Sequence, residues 1–75
     1  MQYADVAASL QKQIGRFLRR KRGDKTYAHF ARQIGLSASS LQRMELGQQN
    51  VTVATLEFLL KRFKCRITDI FDSEE

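Results

Sequence analysis

The stretch Thr26-Tyr27-Ala28-His29-Phe30-Ala31-Arg32-Gln33-Ile34-Gly35-Leu36-Ser37-Ala38-Ser39-Ser40-Leu41-Gln42-Arg43-Met44-Glu45-Leu46-Gly47 decides the fold. Thr26 carries a hydroxyl that can accept a backbone N–H and so start a helix. Phe30, Ala31 and Ile34 then follow at helical spacing as one inward face. Gly35 stops that helix, because glycine takes the left-handed conformation without steric cost. Ser37 is a second natural cap for a helix from Ala38 to about Leu46, with Leu41 and Met44 turned inward and Gly47 at its end. The linker Gly35–Leu36–Ser37 is short enough to force a steep crossing. Small Ala31 lets the two backbones approach, and Leu36 and Leu41 fill the junction. The second helix is thereby lifted clear of the core, showing Ala38, Ser39, Gln42 and Arg43 on an outer face with little apolar bulk.

The flanks read as helices as well. Upstream, Val6, Leu10, Ile14, Phe17 and Leu18 recur at steps of three and four, which predicts a helix from Asp5, as N-cap, to Arg22. Its other face carries Lys12, Arg16, Arg19 and Arg20, and Gly23 ends it. Downstream, the loop Gln48–Val51 leads to Thr52, which caps a helix over Val53–Phe63 with Val53, Leu56, Leu59, Leu60 and Phe63 on one face. A last apolar turn, Ile67–Phe71, precedes an acidic tail over 72–75. No segment alternates as a strand does, and the chain contains no proline. The expectation is an all-α, compact five-helix bundle with an extended first helix. It forms a single domain over residues 1–75, with its core in 14–71 and its two-helix unit at 26–46.

Composition narrows the function. Apolar residues make up 43% of the 75 positions, too many for a disordered tail. No apolar run approaches the length of a membrane span, and the N-terminus has neither the basic start nor the continuous apolar stretch of a signal peptide. A lone Cys65 excludes an internal disulfide and fits a reducing, cytoplasmic setting. His29 and Cys65 have no further Cys or His with which to build a metal site, so no metal or other cofactor is expected. No nucleophile–base or paired-carboxylate arrangement points to an enzyme. Charge is more telling. Thirteen Lys and Arg face eight Asp and Glu, a net of +5, and residues 1–68 hold all thirteen cations against four acids, a net of +9. Such an excess draws a small domain to polyanions, of which nucleic acid is the commonest.

A polar outer face on the second helix of such a pair suits the DNA major groove, where side chains read base edges. The sequence resembles the phage-repressor-like helix-turn-helix family, the Cro/CI or XRE type. Ile14-Gly15-x-x-Leu18-Arg19-x-x-Arg22 is similar to that family's first helix, and Thr26-x-x-x-Phe30-Ala31-x-x-Ile34-Gly35-Leu36-Ser37 to its second helix and turn. Ser40-Leu41-x-x-Met44-Glu45-x-Gly47 resembles its recognition helix, while Leu56-x-x-Leu59-Leu60-x-x-Phe63 and Ile67-x-x-Ile70-Phe71 resemble its last two helices. The likeness runs over residues 14–71 and implies a lambda-repressor-like bundle. The chain departs from the pattern at Tyr27 (usually Gln), His29 (often Glu), Val51 (commonly Pro) and Lys64 (often Gly). Its turn between Arg22 and Thr26 is two residues shorter.

The resemblance implies a sequence-specific DNA-binding transcriptional regulator, a repressor in the first instance, acting as a homodimer on a palindromic operator. Ala38, Ser39, Gln42 and Arg43 are the expected base contacts. Arg43 can bind guanine O6 and N7 with two donors, against the plainer readings of a phosphate contact or a solvated side chain. Lys25, Thr26, Tyr27, Ser37, Ser40, Gln49 and Asn50 are the expected phosphate contacts; for the two serines, helix capping is the plainer role. Glu45 is expected to pair with an arginine of the first helix, Arg22 by apolar register, with Arg19 and Arg20 as alternatives. Phe58 lies about 200° round its helix from the core stripe. With Ile67 and Phe71 it is read as a dimer interface, unless Tyr3 or Val6 folds over it. The competing class is a protein-interaction module on the same fold, for instance an antitoxin with a protein partner, in which DNA binding is secondary. An RNA-binding helical protein fits the charge but not the turn geometry.

Overall fold

The computed structural model describes the backbone of residues 3–71 and the side chains of residues 9–71. Five helices follow one another: α1 Tyr3–Arg22, α2 Tyr27–Ile34, α3 Ala38–Glu45, α4 Val53–Phe63 and α5 Ile67–Ile70. No strand occurs among the described residues. At 1.5 Å per residue, the 20 residues of α1 run about 30 Å.

Each start has a local cause. The backbone N–H groups of His29, Ser40 and Thr55 donate to the hydroxyls of Thr26, Ser37 and Thr52 at 3.1 Å, so three caps define three helices. At α5 the roles reverse, and the Asp69 carboxylate accepts from the backbone N–H of Arg66 at 2.8 Å. Asp5 does not cap α1. The helix already includes Tyr3 and Ala4, neither of which opposes helix, so Asp5 lies inside it.

The core is one cluster built around Leu18, Leu41, Met44 and Leu59, all fully buried, with Ile14, Phe17, Phe30, Ala31, Ile34 and Ile70 around them. Burying a side chain of that size stabilises by roughly 1.5–3 kcal/mol. Phe63 completes the cluster, edge-on to Phe17 at 5.4 Å and stacked on Phe30 at 6.1 Å. Two expected core positions are not core. Val53 is 83% exposed and Leu10 42% exposed. Val53 opens α4 beyond the edge of the bundle, so the apolar stripe of α4 meets the core only from Leu56 onward. Leu10 and Val53 instead wall an open groove of about 400 Å³, together with Ile14, Val51, Leu56 and Phe71. The side chains of Val6 and Tyr3, and the acidic tail at 72–75, lie outside the described residues.

Candidate nucleic-acid interface

The turn between α2 and α3 sets the direction of α3. Gly35 adopts φ +82°, and its N–H and that of Leu36 both reach the carbonyl of Ala31. This closes α2 in the left-handed manner and starts the chain back at a steep angle. Phe58 of α4 lies across the same turn: a Cβ added to Gly35 would meet its Cζ at 3.1 Å. Arg62, one turn further along α4, donates to the carbonyl of Gln33 from Nε at 3.1 Å and also from its terminal nitrogen. The α2 side of the turn is thus held by α4 at two points.

With Leu41 and Met44 inserted into the core, Ala38, Ser39, Gln42 and Arg43 are all exposed, and Leu46 joins them at the helix end with 57% exposure. Arg43 is held from two sides. Its Nε donates to Oε1 of Gln49 at 2.9 Å and its terminal NH1 to the hydroxyl of Ser39 at 3.2 Å. Gln49 reaches it because Gly47, at φ +72°, turns the chain back so that the N–H of Gln48 bonds the Arg43 carbonyl at 2.9 Å.

Other candidates are more dispersed. Ser37 and Thr26 are exposed and spend their hydroxyls as caps, while Ser40 is half-buried. Lys25 is exposed, with its ammonium 5.8 Å from the Phe30 ring centre. Asn50 turns to α1, where Gln11 donates to its Oδ1. Phe58 is 44% exposed and Ile67 50%, whereas Phe71 is half-buried in the groove beside Leu10.

Arg22 joins the pieces. Its Nε donates to Oε2 of Glu45 at 2.8 Å and its NH2 to Oε1 at 3.0 Å, a two-pronged pair in which the Glu45 side chain is only 2% exposed. NH1 bonds the carbonyl of Lys25 at 2.9 Å, and the guanidinium lies 4.1 Å over the Tyr27 ring. The bond from Glu45 raises the Arg22 pKa above its ordinary value, so the group stays charged. One side chain therefore ties the end of α1, the short turn, the start of α2 and the end of α3. Arg19 and Arg20 are exposed and do not reach Glu45.

Three contacts escaped the sequence reading. Gln11 to Asn50, Arg43 to Gln49 and Arg62 to Gln33 join residues whose types carry no pairing signal. Gly15 gave a weak one, since a glycine inside a strongly helical stretch marks a close approach. A Cβ there would stand 2.6 Å from the Glu45 carbonyl oxygen.

Among the described residues, the outward face of α3 is polar and carries the Arg43 cation. Burial pushes the Cys65 thiol up, opposite to what a nucleophile needs. No group of three or more His, Cys, Asp or Glu stands where it could hold a metal ion among the described residues, and no helix there is long and apolar enough to cross a membrane.

No curated protein and no solved structure matches the chain. A family model described as helix-turn-helix matches residues 18–70, which span the end of α1, the α2–α3 unit and the two following helices. The chain therefore belongs to the helix-turn-helix family of the Cro/CI or XRE type, and is a DNA-binding regulator.

Proposed function

We propose that the chain is a repressor that binds a palindromic operator as a homodimer, with residues 38–43 of each copy in adjacent major grooves. The observation that carries this reading is the exposed face of α3, where Arg43 presents free guanidinium donors between Ser39 and Gln49. Ala38, Ser39, Gln42 and Arg43 read base edges, and Lys25, Thr26, Tyr27, Ser37, Ser40 and Asn50 fix the backbone register; Gln49, expected among the latter, is engaged with Arg43. One helix of eight residues covers only a few base pairs, so two copies supply the specificity that one lacks. Phe58, Ile67 and Phe71 form the subunit contact in this reading.

Selection of bound duplexes from a random pool tests it. Enrichment of one half-site, repeated in inverted orientation about 10 base pairs away centre to centre, is the expected result. Recovery of duplexes with no shared sequence counts against it.

A second reading, a protein-interaction module in which DNA binding is secondary, draws on the apolar groove between Leu10 and Val53. It predicts that groove substitutions leave duplex binding intact while abolishing a protein complex.

A further inference from the structure

We infer that Gln49 is a positioning residue for Arg43, and that it fixes which edge of the guanidinium faces the DNA. The inference rests on the base-reading role of Arg43 and goes beyond it, since Gln49 then acts through another side chain and not on a phosphate.

Guanidinium has five N–H donors in a rigid plane and can engage guanine by its side edge, through Nε and a terminal nitrogen, or by its end, through both terminal nitrogens. In this protein the side edge is occupied. Nε–H donates to the side-chain Oε1 of Gln49 at 2.9 Å, and one N–H of NH1 is spent on the Ser39 hydroxyl at 3.2 Å. Three donors are left over, one on NH1 and two on NH2; one of the NH2 pair lies along the side edge beside the engaged Nε–H, and the other points off the end of the fork. Arg43 therefore meets a base end-on, where two parallel donors match O6 and N7 of guanine.

The support itself is anchored. Gln48 is held by the Arg43 carbonyl, and Asn50 is held by Gln11 of α1. Gln49 lies between these two fixed points and is half-buried. A long side chain loses rotamer freedom when it binds, and a neighbour that already restricts it lowers that cost. Gln49 does this for Arg43 without touching DNA.

The test uses the duplex that the wild-type protein selects from a random pool, and versions of it with the Arg43-dependent guanine replaced by adenine or 7-deazaguanine. Arg43→Ala should reduce the preference for guanine by about tenfold or more. Gln49→Met keeps the length and removes the acceptor, and should reduce the same preference by about fivefold, the worth of one hydrogen bond. In the Arg43→Ala background it should change nothing. Gln49→Glu restores an acceptor, so guanine preference should return while affinity for every duplex falls with the added negative charge. If Gln49→Met weakens all duplexes equally, or does so equally without Arg43, Gln49 binds phosphate and the inference is overturned while Arg43 keeps its role. If Arg43→Ala leaves the guanine preference unchanged, both assignments fall together.

Discussion

Gly15 of α1 lies directly against the backbone of Glu45 at the end of α3, so that a single added methyl group would stand 2.6 Å from one carbonyl oxygen and 2.7 Å from the next, that of Met44. The two helices cross where neither can yield, because the obstacle is backbone and not a side chain that could rotate. An exposed helix glycine gains about 1 kcal/mol when replaced by alanine. Here overpacking opposes that gain and costs about 1–3 kcal/mol. Gly15→Ala is therefore expected to lower the melting temperature, which calorimetry measures. A rise would mean that α1 and α3 do not meet as described.

The same crossing carries the Arg22–Glu45 pair. Glu45→Ala would leave the Arg22 guanidinium facing a nearly closed site with its carboxylate removed, although NH1 would keep the Lys25 carbonyl. Removing one partner of such a pair is more damaging than never having built it. The melting temperature is expected to fall by about 10 °C or more, and duplex affinity with it, since the end of α3 loses its anchor. A double variant with both residues apolar should recover much of the loss.

These two contacts differ in how far the sequence foretold them. The helices were legible because caps and apolar spacing are local. Thr26, Ser37 and Thr52 each announce a start within four residues, and the α2 and α4 boundaries follow. Asp5 misled for the same reason: a good cap residue is also tolerated inside a helix when nothing before it breaks the pattern. Val53 fits the α4 stripe by spacing, but spacing does not say where the bundle ends. In the interface, outward residues of α3 follow from knowing which ones are buried. The buttress at Gln49 does not, because glutamine in a loop suits water as well as it suits an arginine.

Lys64 ends α4 at φ 55°, ψ 47°, and is the one non-glycine residue with positive φ among those described. Its left-handed conformation turns the N–H of Cys65 back onto the Leu60 carbonyl at 3.0 Å, which closes the helix. A side chain in that region costs roughly 1–2 kcal/mol, only partly offset by the greater freedom of an unfolded glycine. Lys64→Gly should therefore raise stability by a few tenths to about 1 kcal/mol, seen as a higher denaturant midpoint at unchanged slope. A drop would show that the lysine stem contributes packing at this corner.

Charge and sequence reading can be separated by substitution. Lys25 and Arg19 are exposed cations, and reversal of either should weaken every duplex to a similar degree and reduce the salt dependence by about one unit of slope. Arg43→Ala should instead compress the difference between the selected duplex and unrelated ones. Binding isotherms at several salt concentrations distinguish the two. Equal behaviour of all three variants would make Arg43 one more phosphate contact.

Phe58 has two faces, and each predicts something different for its removal. Part of the ring covers Gly35, where it helps hold the α2–α3 turn, and 44% of the residue is left to solvent. If the open part is a subunit contact, Phe58→Ser lowers the sedimentation mass towards one chain and removes the concentration dependence of melting. If the ring serves only the turn, melting shifts by the same amount at every concentration and the mass does not change. Ile67→Glu separates these cases further, because Ile67 opens α5 with half its surface in water. A charge there should split a dimer with little effect on the monomer's stability. A wild-type mass of one chain at micromolar concentration without DNA would remove both residues from any pre-formed interface, leaving pairing to occur on the operator itself.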